Sequence, residues 1–222
     1  MGEQAPFWLT ADVQTQGKGR RGRTWISESG NLFATLIYPV SSLPTQIGGL
    51  PLVSAVVVQD TLSELVVGKV PIRIKWPNDI LVDGQKLCGI LIEQHQIEKQ
   101  ALVAIGIGIN IRTRPDITNY PTACLADIDP HISTETIWPL LTAKFEAWFD
   151  KWRQENGFGA IRAAWLDRAA GLGETISIAG ETSSKTGIFQ TLDENGYLVL
   201  RHESGELERI STGDVILKKN EN

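Results

Sequence analysis

The chain has 222 residues, of which 42% are hydrophobic and 21% charged, and its formal net charge is −5 at pH 7. These values are ordinary for a soluble globular protein, and the acidic balance argues against a general nucleic-acid binder, whose domains are normally basic. No apolar stretch approaches the ~20 residues that span a bilayer, so we expect no membrane partner. The two cysteines, Cys88 and Cys124, lack CxxC spacing, which predicts a reduced, cytoplasmic protein without a zinc site.

The first three quarters of the chain predict both strands and helices. Runs rich in apolar and β-branched residues favour strands at 7–13, 31–39, 70–76 and 101–110. The Asp-Gly pair predicts the turn of a hairpin over 79–93. Apolar residues at helical spacing predict helices over 46–66, 134–156 and 159–170.

After residue 170 the pattern changes to five short strands separated by glycine-containing turns. Such regular spacing is typical of a small barrel. We therefore expect an α+β fold of two domains, with residues 1–172 forming a mixed β-sheet packed with helices. Residues 173–222 are expected to form the barrel.

Residues 17–25, GKGRRGRTW, combine G-x-G-x-x-G spacing with four cations. A dinucleotide-binding turn needs a helix directly after its third glycine, yet poor helix formers and then a strand follow Gly22. A solvated turn or a local basic patch for nucleic acid is the alternative. Glycines that let the backbone wrap closely, cations that repel one another and the bulky Trp25 favour a loop that holds an anion.

Further along, polar or small residues stand where burial is expected. Lys75, in KWPND, ends an apolar strand and so needs an anionic partner or a function, unless its side chain reaches solvent. Gly89 in KLCGILIE and Gly106 and Gly108 in GIGIN remove side chains from strands. They open a slot for a flat ligand, although tight packing is the commoner reason for strand glycine. Asn110 either presents its amide to a base edge or caps a turn.

In this order, QTQGKGRRGRTW, KWPNDIL, KLCGILIE and GIGIN resemble the biotin protein ligases, and the resemblance covers the chain from about residue 8 to its C-terminus. It implies that the C-terminal barrel is SH3-like. It also implies the family's activity, in which biotin and ATP form biotinyl-5′-AMP in the presence of Mg²⁺. The biotinyl group then passes to a lysine of a carrier protein, such as the biotin carboxyl carrier protein of acetyl-CoA carboxylase.

The resemblance also implies roles for individual residues. Lys75 and Arg20 are the expected catalytic residues, because cations placed where negative charge grows lower the barrier to attack of a carboxylate on phosphorus. The biotin side is expected to contain Gln14, Gly17, Lys18, Gly19, Arg20, Lys75, Gly89 and Gly106. The nucleotide side is expected to contain Arg21, Arg23, Trp25 and Asn110. The Mg²⁺ ligands are left open, with Asp79 only a weak candidate.

The sequence departs from the family in three places. Lys18 stands where arginine is commoner, which keeps the charge but loses the forked geometry. The family's Ser-Thr-Asn stretch is missing from residues 1–13, and there is no room for a helix-turn-helix domain, so we expect no repressor role. The missing stretch leaves open a module that binds biotin or its adenylate and turns over poorly.

Two other questions stay open at the level of sequence. A lipoate or octanoyl ligase on the same fold is the enzyme alternative, but the His-containing motif of those families is not found. The family contains monomers and dimers, and the central strands are able to extend a sheet between two chains. A homodimer is therefore an open expectation.

Overall fold

The structure, a computed structural model, describes residues 5–44, 47–116, 120–180 and 184–217. Its three α-helices are α1 (Leu50–Leu65), α2 (Thr134–Arg153) and α3 (Gly157–Asp167). The strands that precede α2 are β1 (Phe7–Ala11), β2 (Leu32–Pro39), β3 (Ile72–Lys75), β4 (Asp79–Val82), β5 (Gln85–Ile97) and β6 (Gln100–Ile109). The later strands are β7 (Thr175–Ala179), β8 (Ser184–Leu192), β9 (Leu198–Arg201), β10 (Leu207–Ile210) and β11 (Asp214–Leu217).

The strands form two sheets, which we call the N-terminal sheet and the C-terminal sheet. The N-terminal sheet has the order β1-β2-β6-β5-β4-β3, and the C-terminal sheet has the order β10-β9-β8-β7-β11. Every pairing between the described strands is antiparallel, whereas the sequence predicted a mixed sheet. For β3 to β6 the reason is local, because these strands follow one another through short turns, and such turns join antiparallel strands.

The helices cover one face of the N-terminal sheet. Along β6, Ile105, Ile107 and Ile109 belong to the hydrophobic core that the helices complete. Eleven of the sixteen residues of α1 are buried, on all of its faces, which makes it a central core helix. Because side chains alternate along a strand, the small and polar residues of β6 face the opposite side of the sheet, which is left for the site.

The link between α3 and the C-terminal sheet differs from the sequence-based expectation. Helix α3 ends at Asp167, not at 170, because residues 168–170 bond to β3. The Ile74 amide donates to Arg168 O at 2.9 Å and the Ala170 amide donates to Ile74 O at 2.8 Å. Three residues later, the Gly173 amide donates to Phe189 O at 2.8 Å. The backbone of the chain thus stops bonding to the N-terminal sheet and begins bonding to the C-terminal sheet near residue 171. The division into two domains at 172/173 stays a prediction.

Other element boundaries shift by a few residues. Helix α2 ends at Arg153 instead of 156, and β5 runs on to Ile97 instead of ending at 93. The predicted start of the first helix at residue 46 lies outside the described residues, and α1 begins at Leu50. Within the part of the chain that the structure describes, no helix has both the length and the apolar content needed to cross a membrane.

Candidate active site

A cavity of about 700 Å³ lies on the face of the N-terminal sheet that the helices leave free. Its floor is formed by the residues of β5 and β6 that alternate with the core positions, namely Gly89, Leu91, Glu93, Ala104, Gly106 and Gly108. The glycine-arginine loop, residues 14–26, covers one side. The first residues of β11 and the segment that begins at Tyr120 close the others. Four segments that are distant in sequence therefore meet at one cavity.

The glycine-arginine loop folds back on itself like a small hairpin. Lys18 and Thr24 form an antiparallel bridge, and the Gly19 amide donates to Arg23 O at 2.7 Å. A Cβ at residue 17 would lie 2.4 Å from Trp25 O, so this close approach requires glycine. At the tip, Arg21 and the following glycine both have positive φ, of 56° and 71°.

The indole ring of Trp25, near the end of this loop, fills the slot over two strand glycines. Gly89 and Gly108 are paired across β5 and β6. A Cβ at Gly108 would lie 2.5 Å from the indole ring, and one at Gly89 would lie 2.9 Å from it. The flat group that these two glycines admit is therefore a side chain of the protein itself. A Cβ at Gly106 would meet nothing closer than 3.5 Å, so that part of the floor stays open to the cavity.

Lys75 is the most deeply buried cation of the cavity, with 6% of its surface exposed. Its Nζ lies 3.0 Å from Asp79 Oδ2, across the β3–β4 pair, and also donates to the Tyr120 hydroxyl. The other carboxylate oxygen of Asp79 lies 2.5 Å from Lys86 Nζ. One carboxylate thus holds two ammonium groups side by side at the end of the cavity.

Burial and ion pairing act in opposite directions on these groups. Burial lowers the pKa of Lys75, and the neighbouring Asp79 carboxylate opposes that effect without cancelling it. Burial alone would raise the pKa of Asp79, but Lys86 and Lys75 outweigh it and hold this pKa below its usual range. The two lysines therefore hold Asp79 in its carboxylate form.

Comparison with known proteins shows which family the chain belongs to. Residues 3–110 match the biotin/lipoate A/B protein ligase family, and residues 171–218 match the biotin protein ligase C-terminal domain. The biotin--[acetyl-CoA-carboxylase] ligase of Paracoccus denitrificans is 34% identical over 89% of this chain and 85% of its own length. The chain belongs to the biotin protein ligase family.

More distant relatives agree with this assignment. The bifunctional ligase/repressor BirA of Escherichia coli is 28% identical over 95% of this chain and 66% of its own length. The biotin protein ligase of Aquifex aeolicus, solved in complex with biotin and ATP, has a TM-score of 0.83 and 27% identity and covers 98% of this chain and 91% of that chain. The family expected from the sequence is confirmed, as are the α+β class and the SH3-like C-terminal part.

Most residues that the ligase resemblance assigned to the site do line the cavity. They are Gln14, Lys18, Gly19, Arg20, Arg23, Trp25, Lys75, Asp79, Gly89, Gly106 and Asn110. Gly17 is buried beneath the loop, and Arg21 lies outside the lining with its guanidinium 3.6 Å from Asp214. Asn110 Nδ2 donates to Ala123 O at 3.1 Å, so its amide already holds a turn. The roles of these residues toward biotin or nucleotide remain predictions.

The lining residues that had no assigned role in the sequence include two charged side chains and a phenol that the site uses, namely Lys86, Asp214 and Tyr120. Lys86 reaches the cavity because the β4–β5 register shifts between Ile80 and Leu81. Without that shift, strict alternation would place Lys86 on the helix-covered face with Cys88. Tyr120 and Asp214 come from segments with no family motif, so no local signal marked them.

The surroundings of Asp79 do not suit a magnesium ligand. Each of its carboxylate oxygens lies within 3.0 Å of a lysine ammonium group. Among the described residues, no group of three or more His, Cys, Asp or Glu side chains is placed to hold a metal ion. The sequence-based suggestion that Asp79 binds Mg²⁺ therefore does not fit this geometry.

Proposed function

We propose that this cavity joins biotin to AMP and then releases the biotinyl group to a carrier lysine. The observation that carries the proposal is Lys75, a buried ammonium group at the end of a cavity rich in cations. The lining contains five cationic side chains, Lys18, Arg20, Arg23, Lys75 and Lys86, against three acidic ones, Glu93, Asp79 and Asp214. Such a surplus of positive charge suits a polyanionic ligand such as ATP together with the biotin carboxylate.

In the first step, a carboxylate oxygen of biotin attacks the α-phosphorus of ATP. The new P–O bond forms as the bond to the β-phosphate oxygen breaks, and pyrophosphate leaves with no net proton transfer. The step brings two anions together, and cations already fixed in a partly dry site stabilise the charge that grows. Lys75 and Arg20 are the groups we assign to this task.

In the second step, the neutral ε-amine of a carrier lysine attacks the biotinyl carbonyl carbon. The C–O bond to AMP breaks, an amide forms, and the amine loses a proton to solvent. This step needs no nucleophile from the ligase itself. The loop over the cavity also excludes water, which protects the mixed anhydride until the carrier arrives.

The partners follow from this chemistry. We propose a biotin carboxyl carrier protein as acceptor, because the Paracoccus denitrificans relative is named for acetyl-CoA carboxylase. We propose that Mg²⁺ enters with the phosphates of ATP, which hold this ion with few protein ligands. We propose a cytoplasmic location because the two cysteines are free, both buried and unpaired in the described structure, as is usual in a reducing compartment.

The alternatives raised by the sequence are less well supported. The Paracoccus denitrificans and Aquifex aeolicus relatives are named biotin ligases, which disfavours a lipoate or octanoyl ligase. It also disfavours a module that binds biotin without turnover. A homodimer stays a prediction, and we place its contact at β5 beyond Ile90, because the described part of β4 pairs only as far as Gly89 and Asn78 bonds to Ile90.

Biotin-dependent ATP–pyrophosphate exchange tests the first step. We expect exchange that requires biotin, and a loss of roughly 100- to 1,000-fold in Lys75→Met because its charge acts on the transition state. Lys69→Met is the matched control, because Lys69 pairs with Asp129 away from this cavity. Absence of exchange in folded wild-type protein, or normal exchange in Lys75→Met, contradicts the proposal. Transfer of labelled biotin to a purified carrier domain then tests the second step.

A further inference from the structure

The first residue of β11 reaches across to the glycine-arginine loop. The Asp214 carboxylate lies 2.5 Å from Arg23 Nη2, 3.4 Å from Arg20 Nη1 and 3.6 Å from Arg21 Nη1. Its side chain is 29% exposed, so the cluster is only partly screened by solvent. Among the described residues, these arginines form ion pairs with Asp214 alone. One carboxylate from the C-terminal sheet thus forms ion pairs with three cations of the loop.

The backbone before Asp214 strengthens the same link. Gly213 O accepts from both Nη1 and Nη2 of Arg20, each at 3.3 Å. Arg20 Nη1 also donates to Asn78 Oδ1 at 3.2 Å, in the turn that follows Lys75. The guanidinium of Arg20 therefore joins the loop, the Lys75 turn and the C-terminal sheet in one network.

The loop has reason to need such an anchor. Its arginines repel one another, and Arg21 adopts a left-handed conformation (φ 56°) that disfavours residues other than glycine. Within the tip, Arg20 to Arg23, the backbone bond from the Arg23 amide to Arg20 O is long, at 3.3 Å. A carboxylate placed among the guanidinium groups offsets their repulsion and holds the tip against the cavity before any ligand is present.

We propose that Asp214 is a positioning residue of the C-terminal sheet, which holds the loop arginines closed over the cavity in readiness for the phosphates of ATP. The proposal rests on the function proposed above, because it assumes that these arginines meet a nucleotide phosphate. A loop that is ordered in advance loses less conformational freedom when the ligand binds. Asp214 therefore acts through the arginines and chiefly on nucleotide affinity, because in Asp214→Asn the arginines keep their own charge and bound phosphate takes the place of the carboxylate as their anionic partner.

Two measurements on the full chain test this. The first is trypsin cleavage after the loop arginines without substrates, and we expect Asp214→Asn to be cleaved about fivefold faster, as loss of a modest ion-pair cluster implies. The second is the KM for ATP in pyrophosphate exchange, which we expect to rise by a similar factor while kcat changes little. Asp214→Glu retains the charge and should restore both values toward wild type.

Controls separate this role from general stability. Glu208→Gln removes another carboxylate of the C-terminal sheet, one that pairs with Lys185 and His202, and should change neither measurement. Added salt should speed cleavage of the wild-type loop toward the rate of Asp214→Asn, because partly exposed ion pairs are screened.

The proposal is overturned if Asp214→Asn is cleaved at the wild-type rate, or if it binds ATP as tightly as wild type or tighter. A tighter KM would mean that the carboxylate competes with phosphate for the arginines. If wild type shows no exchange while Asp214→Asn is still cleaved faster, the contact stands and the proposed function fails. The cleavage measurement thus separates the two failures.

Discussion

Lys75 illustrates at the scale of single residues how neighbouring groups act on a buried cation. Its strand neighbours would favour a neutral, apolar side chain, and burial lowers its pKa. The groups that face it are the Asp79 carboxylate, the Lys86 ammonium and the Tyr120 hydroxyl, with Asp214 further away. Asp79 is the group that most strongly favours the charged form, so the behaviour of Lys75 with pH depends on it.

Asp79→Asn should therefore move the alkaline limb of the pH–rate profile to lower pH. Removal of the carboxylate removes an influence that raises the pKa of Lys75, so the lysine loses its proton, and activity falls, at lower pH than in wild type. Pyrophosphate exchange measured from pH 6 to 10 checks the direction of this shift. An unmoved alkaline limb would show that Lys75 is not the group whose charge limits the rate.

Substitution by alanine should have different effects at Gly106 and at Gly108. Gly108→Ala places a methyl group 2.5 Å from the Trp25 ring, so the indole must move and the loop with it. Gly106→Ala meets only contacts of 3.5 Å or more in the protein, and its methyl group enters the cavity instead. We expect Gly108→Ala to weaken ATP binding and Gly106→Ala to weaken biotin binding.

Isothermal titration with each ligand separates these effects. Melting temperature serves as the control, since Gly106→Ala should leave the fold unchanged. Equal losses for both ligands in both variants would contradict the assignment of the two glycines to different sides.

At the scale of elements, the glycine-arginine loop is the part that retains the intermediate. Arg20→Gly removes the side chain that bonds to Asn78, Gly213 and Asp214 and should let biotinyl-5′-AMP leave before transfer. The expected sign is free biotinyl-5′-AMP in solution during turnover, detected by chromatography after rapid filtration. Lys18→Arg keeps the charge and should show no such release. Retention in Arg20→Gly as tight as in wild type would mean that other groups hold the intermediate.

The elements also show what could be predicted from sequence. Strand and helix positions follow from apolar spacing, and the cavity-facing positions of β6 follow from simple alternation. The position of Lys86 in the cavity could not be predicted, because an irregular register in β4–β5 changes the face of the sheet on which it lies. The contact of Asp214 with the loop could not be predicted, because Asp214 lies 191 residues beyond Arg23 and only the packing of the two sheets brings them together. Trp25 was expected on the nucleotide side, but nothing local indicated that it would fill the slot at Gly89 and Gly108.

At the scale of the whole molecule, the two sheets share one hydrophobic core. The buried cluster runs from the N-terminal sheet and helices into Ile176, Phe189 and Leu200 of the C-terminal sheet. Trp165 of α3 packs edge-on against Phe189, with ring centroids 6.2 Å apart. Arg162, also on α3, donates from Nε to Leu192 O at 2.7 Å. This continuity bears on the sequence-based division at 172/173, because a shared core couples the unfolding of its two parts.

We therefore expect the chain to unfold in one cooperative transition, although its sequence predicts two domains. Calorimetry should give a calorimetric enthalpy equal to the van't Hoff enthalpy. Phe189→Ala, which removes a buried ring at the junction, should cost about 3 kcal/mol or more and lower the single melting temperature. An exposed change in the same sheet, Leu207→Ala, should cost much less, since 58% of that residue is exposed. Two separate transitions in wild type would show that each sheet is stable alone. The loop arginines would then depend on a docking equilibrium between domains and not on one fixed structure.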